Sequence, residues 1–234
     1  MKELVTEIVF EPGAERLHVR DSVFIEGLPG VGLVAKTAVA YLLSKLEARK
    51  VCRFYSAHFP NLVYVRDGRF IPNFADLYVV EKPRPLLLLY GNAQPTSSYG
   101  QHDFCEKVLD VVINLGANFI ITLGGYGKEE VSEIREVYVS STRHETILRV
   151  LRKIPAKTYA GQIVGAAGLL ITLAEERGLD NLSMLVESSE MVPDYYAAKR
   201  AIDSVNDLLD LELQVGDVDE VSRVYSSILY KLEY

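Results

Sequence analysis

Three glutamates, Glu26, Glu81 and Glu187, stand at or near the ends of apolar runs. Carboxylates placed there can exchange protons or hold magnesium if the fold brings them together. The sequence gives no distance between them, and capping or solvent contact is the plainer reading. His18, His58, His102 and His144 lie in separate segments, without the close His-His or His-Glu pairing that holds zinc. No serine occupies a Gly-x-Ser-x-Gly elbow, the strained turn that exposes a nucleophile. Cys52 falls in a strand-like run and Cys105 in a helical one, which suits small core residues. Two cysteines without a short spacing build neither a disulfide scaffold nor a zinc site. The chain therefore offers no coherent catalytic set, and neither a metal nor a cofactor is expected.

The glycines are a better lead. Residues 25–36 read as a short strand, a turn containing Gly27, Pro29, Gly30 and Gly32, and a helix. A strand-to-helix turn of this kind presents free backbone N–H groups at the positive end of a helix, where anions bind. The glycines run G-x-x-G-x-G, however, not G-x-G-x-x-G, and no Gly-Lys-Ser/Thr follows. That excludes a P-loop and weakens a dinucleotide site. A tight corner with close backbone packing is the plainer reading. Two further loops, Gly91-Asn92 to Gly100 and Gly124-Gly125-Tyr126-Gly127, follow apolar strands, where α/β proteins place ligands. Gly27, Gly30, Gly32, Gly91, Asn92, Gly124 and Gly125 are accordingly the candidate ligand residues.

The elements that position these loops alternate. Strands are expected over 4–10, 19–26, 51–57, 77–81, 85–90, 119–123 and 182–187. A hairpin at Asp67-Gly68 carries the strongest short turn signal. Runs 86–90 and 119–123 are apolar apart from Thr122, as in strands covered by helices on both faces. Helices are expected over 31–46, 99–115, 144–154 and 163–178. From Tyr195 two helical patterns follow without a strand between them, so residues 1–194 read as an α/β domain and 195–234 as a C-terminal helical subdomain. In the last helix Val218, Val221, Tyr225, Ile228 and Leu232 recur at three- and four-residue intervals. Such a stripe packs against its own domain or another molecule. Its terminal position favours an interface with a sister subunit or a partner.

With 234 residues, 49% hydrophobic and 24% charged, the composition is that of a globular chain. A formal charge of −7 and the absence of a Lys/Arg cluster argue against nucleic acid and anionic membranes as partners. The first ten residues carry Glu3 and Glu7 and read as a strand, not a signal peptide. The uncharged run from Gly161 to Ala174 is too short to span a bilayer. A cytoplasmic protein is expected.

Five stretches together resemble the proteasome assembly chaperone 2 family, in particular its archaeal members. They are Gly27-Leu-Pro-Gly-Val-Gly-Leu-Val-Ala-Lys36, the Gly91–Tyr99 loop, Gly124–Gly127, Gly161-Gln-Ile-Val-Gly-Ala-Ala-Gly-Leu-Leu170, and Pro193-Asp194 followed by Ala197-Ala198. The resemblance implies a three-layer α/β/α sandwich similar to phosphorylase/hydrolase-like domains. It also implies a non-enzymatic role in binding proteasome α-subunits and a tendency to form homo-oligomers. One departure concerns the tail. Proteins that dock between α-subunits often end in a hydrophobic residue, tyrosine and any last residue, whereas this chain ends Leu232-Glu233-Tyr234. Archaeal relatives have also been grouped with ATP-grasp-like ligases, which need ATP, magnesium and a set of phosphate-binding lysines not evident here. A small-ligand-binding module using the glycine loops is the third possibility.

Overall fold

A computed structural model describes residues 5–189 and 191–232, with side chains through Leu229 apart from residue 190. The chain opens with β1 (Thr6–Phe10) and β2 (Ser22–Gly27), then α1 (Val34–Lys45) and β3 (Ala48–Ser56). A small hairpin of β4 (Tyr64–Arg66) and β5 (Arg69–Ile71) precedes β6 (Ala75–Val80) and β7 (Leu86–Gly91). Next come α2 (Ser98–Leu115), β8 (Ala117–Gly127), β9 (Val137–Ser140), α3 (His144–Lys153), β10 (Lys157–Thr158), α4 (Ala166–Glu176) and β11 (Asp180–Ser188). Helices α5 (Tyr195–Leu209) and α6 (Val218–Leu232) close the fold.

Among the described residues, nine strands form one mixed sheet in the order β1-β3-β6-β7-β2-β8-β11-β9-β10. The four central strands, β7, β2, β8 and β11, run parallel to one another, and the flanks are largely antiparallel. Side chains alternate between two cores, as the two-residue period of a strand requires. On β2, Val23 and Ile25 face a core made with α1, α3, α5 and α6, whereas Phe24 faces one made with α2 and α4. The result is a three-layer α/β/α sandwich. The apolar runs on β7 and β8 lie inside the sheet and are covered on both faces, as their sequence demands.

Local signals fix the helix ends. Ser97 Oγ accepts the Gly100 N–H at 3.1 Å and caps α2, and Gly116, at φ 110°, ends that helix in a conformation open to glycine. Asp194 Oδ1 caps α5 through Ala197 N–H at 3.0 Å, and Asp217 Oδ1 caps α6 through Glu220 N–H at 2.8 Å.

Three expectations are corrected. The helix expected from residue 31 begins at Val34, because Gly32 and Leu33 both adopt positive φ, 60° and 51°, and break a short 3-10 turn from the α-helix. The helix expected from residue 163 begins at Ala166, after Gly165 at φ 87°. The segment after Tyr195 packs as part of the main body: α5 and α6 share the core of α1, β2 and β8. The stripe on α6 faces inward. Val221, Tyr225 and Ile228 are all buried in that core, so periodicity had identified the buried face but not what covers it. Val218 is half-buried, and the Leu232 side chain, like the tail that follows it, lies outside the described residues.

Candidate functional site

The ladder between β2 and β8 ends at the pair Glu26–Thr122, but β8 continues to Gly127 with only β11 beside it. A gap therefore opens at the carboxyl end of β2, the usual place for a ligand in a parallel sheet. The turn at Pro29–Val31, the loop side chain of Gln94 and the segment 159–164 enclose it as a cleft of about 280 Å³. Gln94 holds two walls together: its Nε2 donates to Pro29 O at 2.7 Å, and its Oε1 accepts the Ala166 N–H at 3.2 Å. Tyr126 and Tyr159 line one side with ring centroids 5.5 Å apart in an edge-to-face arrangement, and Tyr138 packs on Tyr126 at 5.4 Å. Tyr159 Oη donates to Gln162 O at 3.0 Å.

Glu26 stands at the inner end of the cleft, 2% exposed. Its Oε1 accepts the Leu28 N–H at 2.7 Å, and its Oε2 has no partner. Burial pushes the carboxyl up to about 8, against the Leu28 hydrogen bond and the nearby Leu123 backbone N–H, which favour the charged form. In register with Glu26 across the same sheet face lie Thr122 and Ser183, whose hydroxyls also lack partners. The α4 side of the sheet thus carries a row of polar groups, of which Glu26 alone lines the cleft.

The candidate glycines separate into two groups. Gly30, Gly124 and Gly125 line the cleft. Gly27 serves packing, since a Cβ there would sit 2.4 Å from Val39 Cγ2 of α1. Gly32 supplies the positive φ of the turn, and a Cβ there would meet Ser188 Oγ. Gly91 lets the backbone approach Phe74 O, where a Cβ would lie at 2.7 Å. Asn92 joins that structural set: its Oδ1 accepts the Phe74 N–H at 2.8 Å and its Nδ2 donates to Pro72 O at 3.0 Å. These four residues hold the loops in shape and do not line the cleft.

The three strand-end glutamates do not converge. Glu81 is exposed and lies 3.9 Å from Arg49. Glu187 is buried with Lys128 Nζ at 2.7 Å and accepts the N–H groups of Ser132 and Glu136. Burial would raise its pKa, but these hydrogen bonds outweigh it and hold the carboxylate down at about 2. Among the described residues no group of three His, Cys, Asp or Glu side chains could hold a metal. His58 Nδ1 and Ser97 Oγ lie 3.0 Å apart, a contact that spacing in the sequence does not reveal. That serine already caps α2. Gln94, Gln162 and Tyr159 were not among the candidates. Gln94 lay in a loop already singled out, but the segment around Tyr159 carries only a two-residue strand and no periodic signal.

A second feature stands apart from the cleft. The β4–β5 hairpin turns at Asp67-Gly68, both at positive φ, in the conformation that matches strand twist. Tyr64 pairs with Ile71 and Val65 with Phe70. Ile71 is buried, so the alternate pair points outward, leaving Val65 60% and Phe70 78% exposed, with Leu62 and Val63 also exposed beside them. Contiguous apolar surface of this kind marks interaction sites. No helix among the described residues is long and apolar enough to cross a membrane.

The chain is 29% identical over 217 residues to an uncharacterized protein of Methanocaldococcus jannaschii, an alignment covering 92% of this chain and 84% of the relative. Its structure matches that of Pyrococcus furiosus PbaB, an archaeal proteasome activator, with a TM-score of 0.84 and 32% identity over 99% of this chain and 100% of that one. Pyrococcus furiosus PbaA, an archaeal homolog of proteasome-assembly chaperone, shares the fold with a TM-score of 0.75 and 21% identity over 97% and 96% of the two chains. The PAC2 family model matches residues 24–233, nearly the whole chain, and the protein belongs to the PAC2 family.

Proposed function

We propose that this protein is a non-enzymatic, cytoplasmic assembly or activation factor that binds proteasome α-subunits. The observation that carries the reading is the outward Val65–Phe70 pair on the β4–β5 hairpin, an apolar face that folding leaves uncovered. Burying one such side chain in a partner is worth about 1.5–3 kcal/mol, enough for two or three to anchor a complex. Membership of the PAC2 family and the likeness to PbaB support a proteasome-related partner. An ATP-dependent ligase is disfavoured because no Lys or Arg lines the cleft, where phosphates would need them. Self-association belongs to the same proposal. The buried residues of the α6 stripe are already covered by their own chain, so contacts between copies fall to another surface.

The test is native mass spectrometry of the protein with purified proteasome α-subunits, for wild type and for Val65→Asp with Phe70→Asp. A complex with wild type that weakens at least tenfold in the double variant, with unchanged circular dichroism, is expected. Equal binding by both proteins, or no complex with wild type, refutes the reading.

A further inference from the structure

Among the described residues four carboxyl side chains are buried: Glu26, Asp76, Glu187 and Asp194. Buried carboxylates are normally matched by a cation, because an unpaired charge in the interior is costly. Three follow the rule. Asp76 meets Arg53 at 2.6 Å and Lys50 at 3.0 Å, Glu187 meets Lys128 at 2.7 Å, and Asp194 meets Arg135 at 3.5 Å. Glu26 meets no cation among the described residues, and its Oε2 is left without a partner. It is also the only one of the four that lines the cleft.

We propose that the cleft at the carboxyl end of β2 binds the ammonium head of an alkylamine, which completes at Glu26 Oε2 the ion pair that the fold leaves open. Three observations select this chemistry. The lining contains one carboxyl and no Lys, Arg or His, which rejects anions and suits a cation. Tyr126 and Tyr159 present aromatic rings, which attract ammonium groups through their quadrupoles. Ile163, Val164, Ala167 and Leu185 make the remaining wall apolar and fit a short alkyl chain. Before binding, burial keeps Glu26 largely protonated at neutral pH. On binding, its proton leaves to solvent and the carboxylate pairs with the ammonium group. The amine can be a free small molecule or the side chain of a lysine. This inference does not depend on α-subunit binding, because the hairpin and the cleft share no residue.

The experiment titrates the full chain with n-butylamine and with n-butanol, the uncharged analogue of equal length, by amide NMR shifts. Saturable binding of butylamine at the cleft, and weaker binding of butanol by at least tenfold, is expected. Glu26→Gln should weaken butylamine at least tenfold, and Tyr159→Leu several-fold, whereas the hairpin double variant should bind it as wild type does. A parallel titration with Nα-acetyl-lysine methylamide identifies the source: binding as tight as butylamine assigns a lysine side chain, and weaker binding a free amine. Butanol binding as well as butylamine overturns the proposal. So does a Glu26→Gln protein that keeps wild-type affinity. Should that variant fail to fold, an unchanged affinity in Tyr159→Leu overturns it instead.

Discussion

Replacing Glu26 by glutamine keeps the shape of the side chain and removes its titration. Burial raises the folded carboxyl to about 8 from an ordinary 4.5. The folded state thus holds this proton to higher pH than the unfolded chain does. Stability from this group is complete below pH 4.5, falls as pH rises through 8, and is level above it. The slope between those limits is about 1.4 kcal/mol per pH unit, and the whole window is worth about 5 kcal/mol. From pH 5.5 to 7.5 wild type should lose about 3 kcal/mol that Glu26→Gln keeps. In a domain of this size each kcal/mol moves Tm by about 2–4 °C, so the two melting curves should diverge by roughly 6–12 °C across that range. Glu187, held down at about 2, and Asp194, also lowered, lose their contributions in acid, below this window. Differential scanning calorimetry at constant ionic strength measures the difference directly. Parallel pH dependence in the two proteins would refute the reasoning, because it would mean that Glu26 is ionised inside the fold.

Two further substitutions test the packing. Gly32→Ala should cost about 1–3 kcal/mol, since φ is 60° and the added Cβ meets Ser188 Oγ, whereas Gly30→Ala, extended at φ −153° with nothing within 4 Å, should be near neutral. Thermal melts of the two variants side by side check this, and equal losses would contradict it. Ile228→Asp should destabilise by more than about 3 kcal/mol, because an unpaired charge enters a closed core. A variant that melts like wild type but changes its mass in light scattering would return α6 to the role of an interface.

The parts of this fold that were legible in the sequence are those encoded by local rules. Continuous apolar runs on β7 and β8 identify covered strands, and Asp67-Gly68 identifies the hairpin, because both depend on adjacent residues. The α6 stripe shows the limit of such rules. Its period states which residues are buried, but α1, which buries them together with the neighbouring α5, comes from a distant part of the chain. The glycines show it again: Gly30 and Gly32 stand in one motif, yet one lines a cleft and the other fills a turn. Glu26 and Glu187 read alike as strand-end carboxylates. Only the tertiary fold gives Lys128 to one and leaves the other without a cation.

The central place of β2 carries a consequence for how the chain folds. Ile25 lies opposite Leu88 on one side and Ile121 on the other, so neither neighbour exists when β2 leaves the ribosome. The strand must wait, apolar on both faces, until β7 and β8 have been made. Pairings so distant in sequence are entropically slow to close. The antiparallel pairs β3–β6 and β6–β7 are more local and can assemble first, offering β7 as the edge on which β2 docks. A factor read here as a helper of assembly thus has a nascent strand of its own to protect, and the rate at which β8 closes over β2 sets how long it is exposed.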